Sequence, residues 1–138
     1  MSRTKQLTKQ VIVYIKPTQP FSFKGTFLKP SHFPSKLVLY DGNKVYQAIE
    51  VGSRVFGIEI FSSGSRGQKV GVAVYAQKAI SDNLKNAIMS EVITRYNING
   101  DIREFTERYK KDSLLSGPIK RWGGMRPSTA YSLYGFLM

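Results

Sequence analysis

The sequence contains no cysteine and a single histidine, His32. Disulfide frameworks, thiol nucleophiles, thiolate zinc sites and iron–sulfur ligation are thereby excluded, and a histidine-based metal site or triad has too few members. Acidic residues are also scarce. Against 21 Lys+Arg stand 9 Asp+Glu, which gives a formal net charge of +12 and a pI near 10.0. No apolar run approaches the ~18 residues that span a bilayer. The opening Met1-Ser2-Arg3-Thr4-Lys5-Gln6 has no apolar signal core behind it. There is no phosphate-binding loop, dinucleotide fingerprint, internal repeat or low-complexity tract. These absences predict a soluble cytoplasmic protein that uses no cofactor and no metal.

What is present suits one domain with a small appendage. The chain has 138 residues, of which 41% are hydrophobic and 12% aromatic, enough apolar material for a core. The cationic surplus is concentrated in the first 80 residues, where only Asp41, Glu50 and Glu59 are acidic. Such a field attracts polyanions by counterion release and needs no specific site. Nucleic acid is the favoured partner and an anionic membrane surface the second; a merely solubilising surface is the plainer alternative.

The first half reads as strands. Residues 9–16 are rich in β-branched residues and stop at Pro17. Residues 36–40 form a second strand, and Asp41-Gly42-Asn43 a hairpin turn. Residues 44–51 alternate, with Val45, Gln47, Ile49 and Val51 on one face. After the Gly52-Ser53 turn, residues 54–61 place Phe56, Ile58 and Ile60 on one face; residues 69–77 alternate Val70, Val72 and Val74 against Gly71, Ala73 and Tyr75. Consecutive hairpin-linked strands imply an antiparallel sheet with one buried face. Residues 21–35, with Phe21, Phe23, Phe27 and Phe33, read as an irregular or short helical connection.

From Ser81 the period changes. Ser81 is a candidate N-cap, and Leu84, Ala87, Ile88, Val92 and Tyr96 recur at helical spacing until residues 97–100 end the helix. Residues 101–104 read as a capping box for a second helix, with Glu104–Arg108 and Glu107–Lys111 as pairs in the favourable order. Asp112 restarts a shorter segment that ends at Trp122-Gly123-Gly124, and an apolar run closes the chain. The class is α+β: a sheet with packed helices, then a helical extension.

Few residues suggest chemistry. Gly64-Ser65-Arg66-Gly67 fits the GXXG loop of KH domains, but it joins two strands rather than two helices, so a flexible hairpin accounts for it better. Asp101, Glu104 and Glu107 could share a helix face for acid–base work, yet capping and pairing explain their spacing. His32 reads as a surface or packing residue, and the phenylalanines as core rather than as base-stacking platforms.

The C-terminal stretch carries a pattern: Asp101-Ile102 with Phe105, Asp112 with Leu114 and Leu115, Gly124-Met125-Arg126, then an aromatic helix over residues 131–138. This resembles the beginning of the catalytic domain of helix-hairpin-helix DNA glycosylases, above all the 3-methyladenine DNA glycosylase II group and its archaeal relatives. Pro20-Phe21-Ser22-Phe23 is similar to the opening of that family's N-terminal domain, and Phe33-Pro34-Ser35 to its continuation. The resemblance implies a TATA-binding-protein-like domain over residues 1–98, a curved antiparallel sheet with helices on one face. It also implies a helical extension over residues 99–138. In the family the DNA wedge, the helix-hairpin-helix and the catalytic Asp come later than the position of Met138, so none of its functional residues falls on this chain. Base excision needs an extrusion pocket and an assisting carboxylate. The resemblance thus implies a non-catalytic, nucleoid-associated part of a base-excision-repair enzyme, inactive alone.

Two other classes stay open: a free-standing basic nucleic-acid-binding module, and an adaptor docking through an apolar C-terminal helix. The candidates for DNA-backbone contact are Lys120, Arg121 and Arg126, which flank Gly123-Gly124; a solvated helix end is the plainer reading. The docking candidates are Tyr131, Leu133, Tyr134, Phe136 and Leu137. They would meet a helix-hairpin-helix domain, or a second copy through residues 130–138. Weak, non-specific binding of double-stranded DNA is expected, and no membrane partner.

Overall fold

The computed structural model describes residues 6–28, 38–65 and 69–128. Strand β1 (Thr8–Ile15) leads through a short helix α1 (Phe23–Phe27) to β2 (Val38–Asp41), β3 (Lys44–Val51), β4 (Arg54–Ser63) and β5 (Lys69–Ala76). Three helices follow: α2 (Asp82–Arg95), α3 (Arg103–Tyr109) and α4 (Ser116–Trp122). The strands form one five-stranded antiparallel sheet in the order β1-β5-β4-β3-β2. The chain is therefore α+β with an open antiparallel sheet, as the alternating patterns require.

Turn chemistry sets the register. Gly52 and Ser53 both take left-handed φ, +54° and +61°, the twist that a two-residue hairpin between right-twisted strands demands. Val45, Gln47 and Ile49 of β3 then lie beside Ile60, Ile58 and Phe56 of β4, and β5 adds Val70, Val72 and Val74. All are buried on one face.

Helices α1 and α2 pack on that face. The Ser81 hydroxyl accepts from the Leu84 amide at 3.2 Å and caps α2, as its sequence position predicts. Ile88, Met89 and Val92 of α2 and the following Tyr96 are buried. Residues 21–28 resolve into α1, capped by Ser22 and burying Phe23 and Phe27; the Phe27 and Tyr96 rings stand 4.5 Å apart. Phe23 and Phe27 are thus core residues, while His32 and Phe33 lie outside the described residues. Gln47 is tolerated in the core because the Tyr96 hydroxyl donates to its Oε1 at 2.6 Å.

Two local expectations need correction. Asp101 does not occupy the cap of α3; Ile102 does, with no side-chain cap bond. The Asp101 carboxylate instead accepts from the Arg103 amide at 2.9 Å and from its guanidinium. Glu107 pairs with Lys110 rather than Lys111, and Glu104–Arg108 forms no ion pair among the described residues.

Candidate nucleic-acid interface

Lys120 and Arg121 sit in the last turn of α4, exposed, with no carboxylate partner among the described residues. The negative end of the helix dipole favours cations there. The acids of the same segment are mostly occupied. Asp101 pairs with Arg103, Glu107 with Lys110, and the Asp112 Oδ1 accepts from the Leu114 and Leu115 amides at 2.8 and 2.9 Å. Arg108 and Lys111 are likewise exposed and outside any ion pair among the described residues. The Arg103 contacts hold the Asp101 carboxyl down at about 2.

Arg126 is not part of this surface. Its side chain is fully buried, and its Nη2 donates to the carbonyls of Thr18 and Pro20, each at 2.9 Å. Its amide donates to the Thr26 hydroxyl at 3.1 Å, and its guanidinium stands 5.8 Å from the Phe21 ring centre. Burial lowers its pKa, the opposite of what an exposed phosphate contact would experience. The expectation of DNA-backbone contact at Arg126 is therefore corrected. It is a clasp that fastens the segment after α4 onto the β1–α1 connection. Gly124 completes the clasp by accepting from the Ser22 amide at 2.8 Å. Nothing in Gly-Gly-Met-Arg-Pro distinguishes such a clasp from a surface turn.

Tyr131, Leu133, Tyr134, Phe136 and Leu137 lie outside the described residues, as do Arg66 and Gly67 of the hairpin loop.

A second locus escaped sequence reading. Among the described residues no helix covers the other face of the sheet, and in its middle the Glu59 carboxylate accepts from Lys44 Nζ and from the Tyr75 hydroxyl, each at 2.7 Å. Lys9 Nζ stands 5.6 Å from the Tyr75 ring centre. The Lys44 hydrogen bond lowers the Glu59 pKa against the opposing effect of burial, and Glu59 in turn raises those of Lys44 and Tyr75. Beside this cluster, Tyr46, Leu39, Tyr75, Leu7 and Val55 surround a floor of Ala48 and Gly57, forming an open apolar groove of about 480 Å³. Alternation alone places Lys44, Glu59 and Tyr75 on the same face, but only the strand order makes them neighbours.

Among the described residues no group of three His, Asp or Glu could hold a metal ion, and no helix is long and apolar enough to cross a membrane. Comparison with protein-family models, with curated proteins and with solved structures found no match.

Proposed function

We propose that this chain is a non-catalytic domain of TATA-binding-protein-like type, of the kind resembling the N-terminal part of helix-hairpin-helix DNA glycosylases, and that it contributes weak, sequence-independent contact with duplex DNA. The fold part of this reading is supported by the element order, one strand, a short helix, four consecutive strands and a long helix. It is supported also by the placement of β1 next to β5. The binding part rests on one observation: the segment of α3 and α4 presents Arg108, Lys111, Lys120 and Arg121 exposed and outside ion pairs, while most of its acids are occupied. Cations free of local carboxylates are those that exchange counterions for phosphates.

Fluorescence anisotropy on labelled duplexes of unrelated sequence tests the reading. Lys120→Ala/Arg121→Ala should weaken binding to all of them alike, as expected of phosphate contacts. Undiminished binding by this variant would remove the proposed surface. Alkylated duplex should be bound without release of base, and base release would overturn the non-catalytic assignment.

A further inference from the structure

We propose that the sheet face left uncovered by helices among the described residues is an interface with a second copy of this chain, packed face to face about a two-fold axis parallel to the strands. Three observations carry this.

The first is a group of exposed apolar side chains on this surface, besides those that Tyr40, Phe105, Leu114, Trp122 and Met125 expose elsewhere. Leu7, Ile12, Tyr14, Leu39 and Val55 all project from this face, with Leu39 62% and Val55 64% exposed. Contiguous exposed apolar side chains of this kind mark interaction surfaces. Aliphatic Leu7, Ile12, Leu39 and Val55 stand there beside aromatic Tyr14, Tyr46, Phe61 and Tyr75.

The second is area. Five strands about 4.8 Å apart and eight residues rising about 3.3 Å each give a face of roughly 600 Å² before side-chain relief, close to the ~800 Å² that each partner buries in a standard interface.

The third is charge, which also selects the partner. The chain carries +12, yet among the described residues the charges on this face balance. Lys44 and Glu59 neutralise each other in its middle. Lys9 and Lys69 lie on the β1–β5 side, and Asp41 and Glu50 on the β2–β3 side. A polyanion or an anionic membrane gains nothing from such a surface. A second copy does, because a two-fold axis parallel to the strands lays the cationic side of each sheet over the acidic side of the other. An axis across the strands would set like charges together. Such a patch is self-complementary, the condition for an isologous dimer.

Sedimentation velocity over a hundredfold range of concentration is the test, with circular dichroism to confirm folding. The wild type should pass from monomer to dimer, and Val55→Glu, at an exposed position, should weaken dimerisation at least tenfold. Lys9→Glu/Lys69→Glu and Asp41→Lys/Glu50→Lys should each dissociate, whereas an equimolar mixture of the two should dimerise again. Lys120→Ala/Arg121→Ala should dimerise like the wild type, so failure of the DNA-binding reading leaves this result untouched. A wild type that stays monomeric, a Val55→Glu dimer of unchanged strength, or a mixture no stronger than its components would overturn the proposal. A monomer that loses DNA or vesicle binding on Val55→Glu would overturn it too, and assign the face to that ligand.

Discussion

The Arg126 guanidinium donates to the Thr18 carbonyl at 2.9 Å across 108 positions of sequence. A second bond to Pro20 makes the arginine a fork that reads two carbonyls together. Truncation leaves both acceptors without their donor and opens a void where a fully buried side chain stood. Arg126→Ala is therefore expected to cost about 3 kcal/mol, in the range for removing one partner of a buried charged network. Arg126→Lys should recover part of this, since an ammonium lacks the planar fork. Urea melts check both, with exposed Lys120→Ala as a control expected to stay within about 0.5 kcal/mol of the wild type. An Arg126→Ala melt indistinguishable from that control would show that the clasp contributes nothing.

Gly124 and Gly117 make a contrasting pair. Gly124 has φ of +86°, and a Cβ there would come within 2.8 Å of the Phe21 carbonyl carbon and the Ser22 nitrogen, both backbone. Gly124→Ala combines left-handed strain with a clash that nothing flexible relieves, so a loss of roughly 2 kcal/mol or more is expected. Around Gly117, in α4, nothing lies within 4 Å of a built Cβ, and Gly117→Ala should gain about 0.5 kcal/mol from helix propensity. Thermal melts should move in opposite directions for the two variants.

Much of the sheet was legible because its signals are local. Alternation over residues 44–51 and 69–76 and the Gly52-Ser53 turn each depend on neighbours within a few positions. The same holds for the Ser81 cap. What escaped depends on distant partners. Alternation put Gln47 on the face of Val45 and Ile49 but not the hydroxyl 49 residues away that serves it there, and Glu59 is mostly buried because Lys44 and Tyr75 close over it from both flanking strands. Arg126 read as a surface cation because composition marks arginine as exposed, and the carbonyls that bury it come from the β1–α1 connection. The capping box failed by one position: with Ile102 at the cap, Asp101 turned to Arg103.

The Lys44–Glu59–Tyr75 cluster predicts a pH dependence at both ends of the range. Glu59 titrates below its ordinary value in the folded chain, so its stabilisation is present above the usual carboxylate range and lost as pH falls through the lowered pKa. Lys44 and Tyr75 titrate above theirs, so their contribution is present below the usual range and lost as pH rises through the raised values. Glu59→Gln removes the charge common to all three. Urea midpoints of this variant should vary less with pH than the wild type on both the acid and the alkaline limb. Parallel profiles for variant and wild type would place the pH dependence elsewhere.

The central claim is contact with duplex DNA through cations of the α3–α4 segment, and its most direct measurement is the salt dependence of binding. The logarithm of the association constant for a labelled duplex, plotted against the logarithm of salt concentration, should fall linearly for the wild type. For Lys120→Ala/Arg121→Ala the slope should be shallower by about 1.8, since each phosphate contact contributes about 0.9. Binding that ignores salt, or a variant slope equal to that of the wild type, would contradict the account.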